Sequence, residues 1–116
     1  MRSLFLLGLF CALVTSCADP CTGHIESTVL YFKEGPNHQG QLVYANVVNK
    51  PGLGVKETLF REDKEFGTFD NIIIISDPTS KFKGRRTVCF DEFTPQKPPA
   101  DIDLREQNIQ RILITR

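Results

Sequence analysis

Four consecutive isoleucines at positions 72–75 place the tightest constraint on the fold of this chain. β-Branched side chains favour extended backbone, and successive side chains of a strand point to opposite faces of a sheet. The run therefore offers apolar groups to both faces, which is typical of a central strand that is covered on each side. A single open sheet leaves one face in water, so the run predicts a layered or closed β structure.

Five further segments share this β-rich composition, and turn residues separate them. We predict six strands, at residues 26–32, 41–48, 55–61, 71–76, 87–93 and 109–115. The stretch 102–110 is expected to form a short helix or turn, and the proline-rich stretch 94–100 a crossover loop before the last strand. Six short antiparallel strands in one small domain predict an all-β fold, either a β-sandwich or a small barrel.

The first 17 residues have the layout of a secretory signal peptide. Arg2 precedes an apolar core at 4–14, and small or polar residues follow it. This core is much shorter than the roughly 20 residues of a membrane-spanning helix. We therefore predict a cleaved signal peptide at 1–17, a single β-rich extracellular domain at 18–116, and no transmembrane segment after cleavage.

The cysteine positions support an oxidising compartment. Cys11 leaves with the signal peptide, and cleavage after Cys17 leaves Cys21 and Cys89, an even number that predicts one disulfide bond. On the chain-entropy model, closing a loop of roughly 70 residues adds roughly 4 kcal/mol to stability. Alternatively, residues 14–17 resemble a bacterial lipobox, which predicts a lipid-anchored periplasmic or surface lipoprotein that is lipidated at Cys17.

Four cations stand close together between the fourth and fifth predicted strands: Lys81, Lys83, Arg85 and Arg86. They have three interpretations. The first is a solvated loop whose charges deter pairing at a sheet edge. The second is an anion-binding patch that attracts sulfated glycans or acidic surfaces. The third is a dibasic processing site at residues 84–86, although a cut there would separate the strand of Cys89 from its sheet.

Residues for metal binding or catalysis do not form a specific motif. Cys17, Cys21 and His24 resemble a zinc half-site, and His38 is the obvious fourth ligand, but secreted cysteines more often pair with each other. No motif for a nucleophile with its base stands out. We therefore predict no metal site, no cofactor and no enzymatic activity.

Three segments in the middle of the chain carry a family resemblance. Residues 40–44 (GQLVY), 47–53 (VVNKPGL) and 72–77 (IIIISD) are similar to motifs of the insect multiprotein bridging factor two family of small secreted proteins. The likeness covers roughly residues 35–77. It implies a secreted, β-rich protein without a catalytic site.

The function that these features predict is surface recognition outside the cell. The chain has 14 basic and 14 acidic side chains, so it lacks the positive charge of a nucleic-acid binder. We predict a secreted binding or interaction module whose partner is an extracellular protein or a small ligand, with a sulfated glycan as one such partner. A small β-barrel that carries an apolar ligand in its interior is an alternative.

Overall fold

The computed structural model describes residues 21–99 and 102–116. The predicted signal peptide and the alternative lipidation site at Cys17 lie outside these residues. Within them, seven strands and two short 3-10 helices form; no helix there has the length and apolar character needed to cross a bilayer. The strands are β1 (Ile25–Glu34), β2 (Gln41–Val47), β3 (Val55–Arg61), β4 (Lys64–Asp77), β5 (Thr87–Phe90), β6 (Phe93–Gln96) and β7 (Gln110–Ile114), and the 3-10 helices are η1 (Pro36–His38) and η2 (Leu104–Glu106).

The strands form one curled sheet of mixed direction, a half-barrel, in the order β5-β1-β2-β4-β7-β6, with β3 paired to β4. The all-β prediction is confirmed. Every pair is antiparallel except β4 and β7, which run parallel. The expectation of purely antiparallel strands is wrong for this pair, because β7 lies between β4 and β6 and, while antiparallel to β6, runs in the same direction as β4.

The predicted strand at 87–93 is interrupted by a corner. Its two halves are β5 and β6, which lie at opposite ends of the strand order and are joined by Asp91 and Glu92. The backbone N–H groups of these two residues donate to the carbonyl of Arg116 at 2.6 and 2.9 Å. Phe90 and Phe93 pack edge to face across the corner, with ring centroids 5.9 Å apart. The corner therefore joins the two edges of the curled sheet.

The proline-rich stretch begins as a strand, contrary to the prediction of a loop. β6 includes Thr94, Pro95 and Gln96, and it pairs only with β7, so it is an edge strand. An edge position tolerates proline because the missing N–H has no strand partner to lose on the open side. The loop follows at residues 97–99, and the predicted helix or turn in 102–110 is the 3-10 helix η2.

β4 begins at Lys64, well before the predicted start at residue 71. Its first half pairs with β3 through a tight turn in which Glu62 and Asp63 have positive φ values of 54° and 62°, as in a type I′ hairpin. The hairpin crosses the outer face of the sheet, where the ring of Phe66 lies 4.9 Å from the ring of Tyr31.

The hairpin gives the isoleucine run its second layer. Ile73 and Ile75 belong to a cluster inside the half-barrel, with Val43, Phe90 and Ile112 among its members. Ile72 and Ile74 belong to a second cluster on the outer face, with Tyr44 and Leu59. All four isoleucines are 0% exposed, which confirms a central strand covered on both faces.

The predicted disulfide bond is present. Cys21 precedes β1, Cys89 lies in β5, and their Cα atoms are 5.4 Å apart. The bond reinforces the pairing of β1 with β5, in which Cys89 lies opposite Glu26.

Candidate functional site

Three arginines from separate parts of the chain meet at one cleft. Arg61 ends β3, and Arg85 and Arg86 end the loop that leads to β5. The three side chains line an open cleft of about 370 Å³ whose other walls are Val29, Leu30, Tyr31, Phe32 and Gly84. We call this site, defined by Arg61, Arg85 and Arg86, the arginine cleft.

Asp77 fixes the loop that carries Arg85 and Arg86. Its carboxylate is buried; Oδ1 accepts the backbone N–H of Lys81 at 2.9 Å, and Oδ2 accepts that of Phe82 at 2.9 Å. Phe82 is buried in the inner cluster. At its far end the loop is tied to β1, because the carbonyl of Arg86 accepts the N–H of Val29 at 2.8 Å. The two arginines therefore project from an anchored segment.

β1 forms the floor of the cleft at the point where its pairing with β5 ends. The pairing between β1 and β5 stops at Thr28 opposite Thr87, and the register of β1 on β2 shifts between Val29 and Tyr31. Such a bulge re-aims side chains and is frequent beside binding sites. Here it places Tyr31 under the guanidinium of Arg61, with Cζ 5.7 Å from the ring centroid.

The four predicted patch residues separate into two pairs. Arg85 and Arg86 line the cleft, whereas Lys81 and Lys83 do not. Lys81 instead lies over the ring of Phe82, with Nζ 5.1 Å from its centroid. Arg61 joins the site although its position in the sequence gave no signal for it. Only the fold of the β3–β4 hairpin across β1 brings it there.

The cleft carries uncompensated positive charge. Within residues 21–99 and 102–116, none of Arg61, Arg85 and Arg86 forms a salt bridge. All three side chains are exposed, so water and salt screen them. The cleft is therefore a concentrated cationic site beside an aromatic surface, and a polyvalent anion fits it.

A second cleft, of about 580 Å³, lies on the same outer face of the sheet. Tyr31, Tyr44, Ile74 and Arg111 stand opposite one another on β1, β2, β4 and β7, so their side chains form a row across that face. Tyr31 lies under the arginine cleft, while Tyr44 and Arg111 line the second cleft together with Glu106 of η2. We call the second site the Glu106 cleft.

A buried network occupies the wall of the Glu106 cleft. The hydroxyl of Tyr44 donates to Glu106 Oε1 at 2.6 Å, and Lys33 Nζ donates to Oε2 at 3.1 Å. Burial, followed by the hydrogen bond to Glu106, raises the pKa of Tyr44 far above its ordinary value. Tyr31 stacks on Tyr44 at 4.6 Å, and burial together with the charge of Glu106 raises the pKa of Tyr31 to about 12. Both hydroxyls are thus neutral at physiological pH.

Arg105 and Asp103 form a separate pair at the rim. Arg105 Nη2 donates to Asp103 Oδ2 at 2.8 Å, and hydrogen bonds from the side chain and backbone of Arg105 lower the pKa of Asp103 to about 2. The positive charge of Arg105 therefore has its own carboxylate partner.

The residues considered for zinc are not brought together. Cys21 is in the disulfide bond, and His24 Nδ1 lies 2.6 Å from Asp91 Oδ1. His38 lies beyond the other end of β1 and contacts Glu34, so about 30 Å of strand separates the two histidines. In the described part of the chain, no group of three or more histidine, cysteine or acidic residues is placed to hold a metal ion.

Comparisons of this chain with protein-family models, with curated proteins and with solved structures give no match. The resemblance to the insect multiprotein bridging factor two family therefore stays a prediction.

Proposed function

We propose that the chain is a secreted, non-enzymatic binding module that recognises sulfated glycans through the arginine cleft. The observation that carries this proposal is the convergence of Arg61, Arg85 and Arg86 on one cleft with no acidic partner in the described residues. Like charges held together repel one another, so a bound polyanion relieves a cost that the free protein carries.

The chemistry of the cleft suits a sulfated sugar. A guanidinium group presents several N–H donors in a planar fork that matches the oxygens of an anionic group. Phe32 is partly exposed and adds aromatic surface beside the arginines, against which the apolar face of a sugar ring packs, whereas Tyr31 is buried beneath Arg61. The cleft is open, which suits binding along a chain-like ligand rather than enclosure of a small one.

The disulfide bond supports secretion, because such bonds persist in oxidising compartments. It agrees with the predicted signal peptide at 1–17. The lipoprotein alternative at Cys17 would change the attachment of the molecule and leave the cleft unaltered. Sequencing the mature N-terminus distinguishes the two, since one gives a free amino terminus after Cys17 and the other an acylated Cys17.

The inner cluster bears on the alternative of an apolar-ligand carrier. Val43, Ala45, Ile73, Ile75 and Ile112 are each 0% exposed, so no water-sized space lies against them. Filled packing of this kind supports surface recognition over a ligand held in the interior.

The test is retention on a heparin column at increasing salt, with two variants of equal charge change. Arg85→Gln/Arg86→Gln removes two cations from the cleft, and Lys81→Gln/Lys83→Gln removes two cations from the same loop outside it. We expect the arginine variant, and Arg61→Gln as well, to elute at much lower salt than the wild type. The matched lysine variant should elute close to the wild type.

Equal losses in the two double variants would reject a specific site and favour a diffuse charged loop that protects the free edge of β1. Unchanged retention of the arginine variant would reject glycan binding in the cleft altogether. Circular dichroism of each variant confirms that the exposed substitutions leave the fold intact.

A further inference from the structure

Arg111 is a buried cation. It is 7% exposed, and its Nε is a buried donor with no hydrogen-bond acceptor among the residues that the structure describes. Within residues 21–99 and 102–116, Arg111 forms no salt bridge. Burying a charge without a counter-ion destabilises the folded state, so a residue of this kind needs a reason beyond packing.

The carboxylates around the Glu106 cleft are engaged elsewhere. Glu106 accepts from Tyr44 through one oxygen and from Lys33 through the other. The other two carboxylates of the lining also have partners: Glu34 contacts His38, and Asp103 is paired with Arg105. Lys33 balances Glu106, and Arg105 balances Asp103. Glu34 is exposed, and its contact His38 is not a fixed cation. Among the described lining residues, Arg111 is therefore the buried charge that lacks a salt bridge.

The rest of the lining indicates the kind of anion. Pro36, Leu42, Pro99 and Ile102 give the cleft an apolar side, and its volume of about 580 Å³ lies in the range of small-molecule pockets. An inorganic anion would satisfy Arg111 and leave these apolar groups in contact with water. A molecule with both a carboxylate and an apolar body matches both parts.

We propose that the Glu106 cleft binds a small organic acid. Its carboxylate pairs with the guanidinium of Arg111, and its apolar body packs on Leu42, Pro36 and Ile102. Arginine and carboxylate form two parallel hydrogen bonds in such pairs, which gives direction as well as affinity. The stacked rings of Tyr31 and Tyr44 and the bonds of Glu106 hold one wall in place before the ligand enters. This site is separate from the arginine cleft and does not depend on glycan binding.

The experiment uses sodium octanoate as the probe, with 1-octanol as its uncharged counterpart and sodium sulfate as an anion without an apolar body. Binding to the disulfide-bonded protein is followed by amide chemical shifts in NMR titrations and by the melting temperature. We expect octanoate to shift amides around β7, η1 and η2, and to bind roughly tenfold or more tightly than either control.

Two variants test the role of Arg111. Arg111→Met should weaken octanoate binding roughly tenfold or more, while the unliganded protein melts at the same or a higher temperature because a buried unpaired charge has gone. Arg111→Lys, which keeps the charge without the planar fork, should bind with intermediate strength. Arg116→Gln, an exposed arginine outside the cleft lining, is the matched control and should bind like the wild type.

Equal binding of octanol and octanoate would overturn the proposal, as would octanoate binding that Arg111→Met leaves unchanged or a wild-type protein that does not respond to octanoate. A large loss of stability in Arg111→Met would show that the residue serves the fold, and this would also overturn the proposal. If octanoate fails while heparin retention follows the arginine cleft, only this inference falls.

Discussion

Removal of the Cys21–Cys89 bond should lower the free energy of unfolding by roughly 4 kcal/mol on the chain-entropy model, mainly through the unfolded state. The two residues are 68 positions apart, so the bond closes most of the described chain into one loop. Without it, the unfolded chain gains the conformations that the closed loop excludes. For a domain of this size, that loss corresponds to a fall in melting temperature of roughly 15–30 °C.

The assay is urea unfolding followed by circular dichroism. Wild-type protein is measured with and without reductant, and the double variant Cys21→Ala/Cys89→Ala is measured under both conditions. Reductant should destabilise the wild type and leave the variant unchanged. Because Cys21 is only 2% exposed, its truncation adds a packing loss of about 1 kcal/mol to the variant. The reduced wild type, which keeps both side chains, therefore isolates the effect of the bond.

A loss below about 1 kcal/mol on reduction would refute the loop-closure reasoning, since the model assigns several times that value to a loop of this length. A loss that appears in the alanine variant but not in the reduced wild type would assign the stabilisation to packing around Cys21. Either result would mean that β1 and β5 stay together without the bond.

Two further predictions concern the outer layer of the sheet. Ile74→Asp places an unpaired charge at a position that is 0% exposed, so we expect no folded protein. The control Ile74→Val should fold, with a loss of about 1 kcal/mol in the free energy of unfolding. A soluble Ile74→Asp protein that unfolds cooperatively would contradict the central position of β4. The chain has two tyrosines, Tyr31 and Tyr44, and the pKa of each is raised, that of Tyr31 to about 12. The contribution of Tyr31 to stability is therefore complete below about pH 10 and is lost as the pH rises through about 12, and that of Tyr44 is lost at still higher pH. Tyrosinate absorbance should increase together with unfolding, and independent ionisation near pH 10 in the folded protein would refute the buried stack.

The sequence predicts the parts of the structure that depend on local composition and on the even number of cysteines. Four adjacent isoleucines require cover on both faces wherever the covering layer comes from, and the two cysteines of the predicted extracellular domain have one way to pair. Neither inference needs the path of the chain. The sequence did not reveal the corner after Phe90, because Asp91 and Glu92 interrupt a β-rich stretch without glycine or proline. The corner is held instead by hydrogen bonds to the carbonyl of Arg116, which is distant from the corner in the sequence.

For a similar reason, the sequence indicates only two of the three arginines of the cleft. Arg85 and Arg86 are adjacent in the sequence, and a cluster of cations is visible as such. Arg61 reaches them because β3 and the first half of β4 fold over β1 through a turn at Glu62 and Asp63. Glycine, asparagine and aspartate are the usual types for that geometry, and of the two turn residues only Asp63 belongs to them, so the local signal for the turn is weak.

The residue pattern of the last strand carries a signal for the Glu106 cleft. With a period of two residues, Arg111 shares a face with Ile109, which is buried in the outer cluster. A cation on an apolar face conflicts with the pattern, and the structure does not resolve the conflict by letting the side chain reach water, since Arg111 is 7% exposed. Local rules that fail without structural compensation concentrate at functional sites. If Arg111→Met keeps or raises the melting temperature and weakens octanoate binding roughly tenfold or more, the conflict at Arg111 reflects ligand binding; if octanoate binding is unchanged, the conflict has no functional cause.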